Sequence, residues 1–306
     1  MPMKGTFFLI GHLFALLSSL GATELRFAKI FTDRCVLQRE MPAPVWGWAE
    51  PEVEVTVEFS SQKKKTAADK TGRWMIKLDP MKANIQGQEL KVTTVGSSVI
   101  LKDILVGEVW LASGQSNMGF SISKSTHAKE ARKLMPHPTL RRFKVGSYLA
   151  DKPVEDIGAK DAYQHPRWRM GDTQQWRTVD NERHGLDWIS AVAAWFGHEV
   201  RISQGVPVGI IESHFGGSKL YCWMPRESLE NSPEFTRDII EPYRDQKKKW
   251  DDAYAAWQHD PNRDPNRPPT EPWRLSCLYN AMIAPVTPYA MRGVIWYQGE
   301  SNQGRA

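Results

Sequence analysis

The stretch Ile104-Leu105-Val106-Gly107-Glu108-Val109-Trp110-Leu111-Ala112-Ser113-Gly114-Gln115-Ser116-Asn117-Met118 marks the point where the pattern of the chain changes. Its apolar run is broken only by Gly107 and Glu108. It ends in Ala112-Ser113-Gly114, which reads as a strand delivered into a turn. Upstream, Val53, Val55, Val57 and Phe59 alternate with Glu54, Thr56 and Glu58, the period of a strand with one buried face. Trp74, Ile76 and Leu78 repeat this after the Lys70-Thr71-Gly72-Arg73 turn, and Leu90, Val92 and Thr94 form another run before Gly96-Ser97-Ser98. Short strands separated by turn signals predict a small β-sandwich domain over 23–105, with no catalytic cluster in it.

Downstream the period lengthens. Trp188, Val192, Trp195, Phe196, Val200 and Ile202 fall at three-and-four spacing. They predict a helix over Leu186–Gln204, with Asp187 as N-cap and Gly205 as its stop. Pro207 then leads into a strand, Val208–Ile211, and Met291–Tyr297 is a third short apolar run. Apolar strands alternating with helices predict an α/β fold with a mainly parallel sheet over 106–306. The segment 231–272 is polar: Lys247-Lys248-Lys249, Asp251-Asp252, and Asp-Pro-Asn-Arg twice, at 260–263 and 264–267. It reads as an exposed helix and loop inserted into that domain.

Composition narrows the function classes. The 306 residues carry 40 Lys+Arg against 35 Asp+Glu, a net charge of +5 with acids and bases interspersed, which gives no footprint for nucleic acid. Hydrophobic residues at 41% and charged residues at 25% exclude wholesale disorder and fibrous repeats. The 13 Trp are read mainly as core, with the flat faces that sugars also favour. Cys35, Cys222 and Cys277 allow one disulfide and one free thiol in an exported chain, and their spacing selects no pair. The 8 His form no H-E-x-x-H and no Cys/His cluster, so no metal site is expected. Lys4, the apolar run Phe7–Leu20 and the small Gly21-Ala22 have the layout of a secretory signal peptide over 1–22. The run is shorter than the roughly 20 residues of a spanning helix. The expected location is secreted or periplasmic, with no membrane association after cleavage.

Three segments share one plan, an apolar strand followed by a small or polar turn. They are Val109 to Met118, Val208 to Ser218, and Gly293-Val294-Ile295-Trp296-Tyr297-Gln298-Gly299-Glu300-Ser301-Asn302. In an open parallel sheet, ligands bind beyond the carboxyl ends of the strands, so the three turns should converge. Together they offer a serine hydroxyl, backbone N–H groups at Gly216-Gly217 and a side-chain amide. Those are the parts of acyl transfer, in which serine attacks an ester carbonyl and preplaced donors hold the oxyanion. Gly114-Gln115-Ser116 is not the G-x-S-x-G elbow, because Met118 stands where Gly would.

The same blocks resemble the sialate O-acetylesterase family of the SGNH hydrolases. Gly107 to Leu111 running into Gly114-Gln115-Ser116-Asn117-Met118 is similar to its first block, and Gly205 to Ile211 running to Gly216-Gly217 to its second. Gly293 to Asn302 is similar to its third, and Leu278-Tyr279-Asn280-Ala281-Met282-Ile283-Ala284-Pro285 looks like a family segment. Phe31 to Trp48 resembles the N-terminal sandwich of bacterial members. The resemblance implies a three-layer SGNH-type fold. It implies Ser116 as nucleophile, with Gly217, or Gly216, and Asn302 as oxyanion donors, while Gln115 and Glu300 shape the site. The implied reaction removes O-acetyl groups from a sugar, sialic acid or a plant polysaccharide, through an acetyl-enzyme, with no metal or cofactor. Glu212 and His214-Phe215 depart from the usual second block. The family's last block, an Asp two or three positions before a His, does not follow Asn302, so the catalytic Asp/His and the later sheet are expected to be missing from this chain. Two other readings are a glycan-binding module without catalysis and an esterase for lipid-like esters. The sequence leaves the oligomeric state open.

Overall fold

The computed structural model describes residues 24–164, 174–180 and 185–303; the segment read as a signal peptide lies outside them. The chain runs through β1 (Arg26–Phe27), β2 (Val36–Gln38), β3 (Ala43–Trp48), β4 (Glu54–Phe59), β5 (Gln62–Ala67), β6 (Arg73–Leu78) and β7 (Asn84–Thr94) into β8 (Ser97–Gly114). Residues 105 and 106 lie inside β8, so one strand passes from the first region into the second. Its opening half pairs antiparallel with β7, and Val106 and Gly107 pair parallel with Leu37 and Gln38. Its closing half lies between β13 (Val208–His214) and β14 (Gly293–Tyr297), parallel to both.

Around it the sheet is mixed rather than mainly parallel. β9 (His137–Lys144) pairs parallel with β13, while β12 (Arg177–Val179), β7, β4 and β5 are antiparallel to their neighbours. Away from this sheet, β10 (Tyr148–Leu149) and β11 (Tyr163–Gln164) form a two-stranded ribbon. β1, β3 and β6 form a separate three-stranded sheet. Its inward residues Val45, Trp46, Trp74 and Ile76 share one core with Val55, Val57, Phe59, Leu90 and Val92 of the large sheet. The alternation read in β4, β6 and β7 is present as alternating burial.

The parallel strands have helical segments on both faces, because side chains alternate across a strand. On one face Leu140, Val208, Ile210 and Ala112 pack with Ala193 and Ala194 of α2 (Ala191–Gln204), beyond the short α1 (Ala128–Leu134). On the other, Phe143, Ile211, Val109 and Leu111 join Leu278, Ala281 and Met282. The helix expected over Leu186–Gln204 is two elements. Leu186–Trp188 is a separate 3-10 turn, and α2 starts after Ser190, whose hydroxyl accepts from the Ala193 N–H at 3.1 Å. Ser190 rather than Asp187 is therefore the N-cap. Gly205 ends α2 in the left-handed region (φ 65°), as expected. After α3 (Arg226–Glu230), the polar segment contains α4 (Pro233–Phe235) and α5 (Glu241–His259), and no residue of α5 is fully buried. Among the described residues, no helix is long and apolar enough to cross a membrane.

Candidate active site

The three strand ends meet at Gly114. Its carbonyl accepts from the Phe215 N–H at 3.0 Å, and the next residue, Gln115, donates its N–H to the Tyr297 carbonyl at 2.9 Å. Gly114 takes φ 141°, and a Cβ there would lie 2.1 Å from the Tyr297 oxygen, so only glycine lets β8 and β14 approach this closely. Ser116 follows in a turn closed by the Gly119 N–H on the Gln115 carbonyl at 3.0 Å. Ser116 is exposed, while Met118 beneath it is fully buried.

Side chains stitch the loops further. Buried Gln115 accepts from the Ser301 N–H at 3.3 Å, and the Asn117 amide donates to Glu300. The Asn302 amide oxygen accepts from the Leu220 N–H at 3.1 Å and from the Gln298 amide at 2.6 Å. With its oxygen held by two donors, the Asn302 amide is oriented to donate through nitrogen. Gln298 also donates to the Ser218 carbonyl at 3.2 Å. Ser218 in turn donates to the Phe215 carbonyl and accepts from the Trp223 indole, each at 2.8 Å. Gly217, between them, takes φ 71° and has no neighbour where a Cβ would stand.

Beside these loops opens a cavity of about 520 Å³. Ser116, Gly119, His214 and Gly216 line it, with Ser121, Lys144 and Trp188 among the other walls. Ser116 and Gly216 thus share one cavity. Gly217, Asn302, Gln115 and Glu300 stand outside its lining, in the hydrogen-bonded frame next to it. Trp188 is 51% exposed at this cavity.

Sequence reasoning missed the charged floor. Glu212, fully buried, takes the Arg142 guanidinium through Nε at 2.7 Å and a terminal nitrogen at 2.6 Å, and accepts the Ser190 N–H at 2.8 Å. Burial opposes its charge, yet Arg142, His214 and Lys144 together hold its carboxyl well below the usual range. Lys144 is nearly buried, and desolvation pushes its ammonium down to about 8 despite Glu212 close by. His214 lies with Nε2 3.7 Å from Glu212, beyond hydrogen-bond length, and its ring fills the space where a Gly119 Cβ would go. Burial, then the Lys144 charge, depress its pKa below the ordinary imidazole value. The one available signal was Arg141-Arg142-Phe143-Lys144, where three charges hide a buried strand. Among the described residues, no group of three or more His, Cys, Asp or Glu is placed to hold a metal ion.

Fold and site define a mixed α/β protein whose strand-end loops bring a serine, a Gly-Gly turn and an oriented carboxamide together. No protein-family model matches the chain. It is homologous to the sialate O-acetylesterases. The sialate O-acetylesterase of Mus musculus is 31% identical over 98% of the chain and 56% of its own length. That of Homo sapiens is 30% identical over 90% of the chain and 49% of its own length. The crystal structure of a carbohydrate acetylesterase from Xanthomonas citri superposes with a TM-score of 0.67 at 30% identity, covering 90% of this chain and 52% of that one. The chain spans about half the length of the curated relatives it matches.

Proposed function

We propose that this chain carries the nucleophile and oxyanion side of an exported carbohydrate O-acetylesterase, on an SGNH-type three-layer fold behind a small β-sandwich. The observation that supports the reading is the stitching of three strand ends at Gly114, with Ser116 and Gly216 lining one cavity and the oriented Asn302 amide in the frame next to it. The names of the relatives supply the substrate class, an O-acetylated sugar such as sialic acid or a plant polysaccharide.

In this mechanism the Ser116 hydroxyl attacks the acetyl carbonyl. The negative charge that develops on its oxygen is met by the Ser116 N–H, an N–H of Gly217 or Gly216, and the Asn302 amide nitrogen. Such donors act strongly because they are in place before the charge appears. The sugar hydroxyl leaves, and water then releases acetate from Ser116. His214 is not assigned as the base: its Nε2 faces Glu212 and its ring is packed against Gly119. The cavity volume suits one or two sugar rings, and an exposed indole in its wall, Trp188, is the residue type on which sugar rings stack.

The test is acetate release from O-acetylated sialic acid and from acetylated xylan, using this chain and a form extended to the length of its relatives. The extended wild type is expected to release acetate and to carry a transient acetyl group on Ser116. Ser116→Ala is expected to lose at least about 10³-fold in kcat. Equal release by the extended wild type and Ser116→Ala sinks the reading. Glycan binding with no acetate released by either assigns the chain to the non-catalytic alternative.

A further inference from the structure

Cys222 lies in the 3-10 turn Leu220–Trp223, which follows the Gly216-Gly217 loop, and Cys277 opens the segment that leads into Tyr279–Ile283. The two stretches are adjacent: the Ser276 N–H donates to the Tyr221 carbonyl at 3.1 Å, which sets the following residues side by side. Both thiols are buried, at 0% and 1% exposure, and they face one another. Cys35 is elsewhere in the core. It sits at the entrance to β2, where its thiol meets the Tyr289 hydroxyl.

We infer that Cys222 and Cys277 form a disulfide when the chain folds in an oxidising environment, and that Cys35 remains a free thiol. The sequence permitted any of three pairings, whereas the geometry leaves one. The bond would close the base of the stretch between Trp223 and Leu275 that contains α3, α4 and α5 and touches the core through Leu229 and Ile240. It would also pin the turn whose Leu220 N–H orients the Asn302 amide. The chemistry is thiol–disulfide exchange with a small disulfide such as oxidised glutathione. One cysteine thiolate attacks it, giving a mixed disulfide and one released thiol. The second cysteine then displaces the other thiol, so that two S–H bonds and one S–S bond are exchanged for the same number. Burial raises the Cys222 thiol well above its ordinary value, with the neighbouring Cys277 adding to the rise. Exchange therefore belongs to the folding chain, before the pair is sealed in. The inference stands independently of the hydrolase reading.

The experiment is to refold the full chain in a glutathione redox buffer, unfold it with an excess of alkylating agent, digest it without reduction and map the peptides by mass spectrometry. The expected result is a linked peptide pair carrying Cys222 and Cys277, with Cys35 alkylated. Alkylation of all three cysteines, or a link that includes Cys35, overturns the inference. A second measurement needs no variant of the pair. Adding reductant to the oxidised protein is expected to lower Tm by about 5–10 °C, as loss of a native cross-link does. A Cys35→Ala chain should show the same drop. An unchanged Tm on reduction in both chains overturns the inference.

Discussion

Lys144 is an ammonium held at the wall of a cavity with little water around it. The charges that face it are Glu212 and Arg142, with His214 next to them. Because burial dominates, its folded pKa of about 8 lies below the value near 10.4 of an unfolded lysine. Below about pH 8 both states carry the charge, and the folded chain bears the full burial cost. Between about 8 and 10.4 the folded chain releases its proton first, so this residue's contribution to stability improves as pH rises. Lys144→Met is therefore expected to be more stable than wild type by about 3 kcal/mol near pH 7, with the gap closing by about pH 10.5. Urea titrations at pH 7, 8.5 and 10 measure this, and a gap independent of pH would contradict it. None of this was visible in the sequence. A lysine after Arg141-Arg142-Phe143 reads as surface, and only the parallel register that sets Lys144 opposite Glu212 shows that it is interior. The placement of Ser116, Gly216 and Asn302 just past the ends of β8, β13 and β14, by contrast, was legible, because it is a local property of the chain.

Elements were legible where their period was clean. β4 and β6 bury the residues their alternation nominated. β8 was harder, because Gly107 and Glu108 interrupt its apolar run. Both are tertiary residues. A Cβ at Gly107 would stand 2.0 Å from the Pro207 carbonyl oxygen, and buried Glu108 receives Arg39 at 2.5 Å and Arg292 at 2.9 Å. The start of α2 was misplaced for a similar reason: Asp187 has the right side chain, but Ser190 occupies the position where the backbone turns helical. At this scale the sensitive point is the crossing of β8 and β14. Gly114→Ala is expected to push β14 off Gln115, speed hydrogen exchange at the Gln115 amide, and lower acetate release about 10²-fold through misplacement of Ser116. Unchanged exchange at Gln115 would show that the contact with Tyr297 does not hold the turn.

At the scale of the molecule, composition was a sound guide to a packed, aromatic-rich interior. Trp46, Trp74, Trp176 and Trp223 are buried, whereas Trp188 and Trp296 are open to solvent. The exposed helix of the polar segment was also legible: no residue of α5 is fully buried, and Tyr243, near its start, is the one that packs against the core. Trp250 of α5 donates to the Pro269 carbonyl at 3.1 Å, so the outgoing and returning chain touch there. Replacing 251–268 with a short Gly-Ser bridge is expected to leave Tm within about 3 °C, because the excised residues lie outside the core. A larger fall by calorimetry would mean that the excursion supports the body.

β8 carries a last consequence, for how such chains can be cut and recombined. A graft made at residue 105 would sever a single rod of backbone and strip Val106 and Gly107 of their partners Leu37 and Gln38 on β2. The raw border so exposed is a template for unwanted association. The two regions are thus inherited as a pair. Any crossover that trades one for a foreign counterpart must bring along a matching length of this strand, with its Glu108 knot of arginines, or yield an insoluble hybrid.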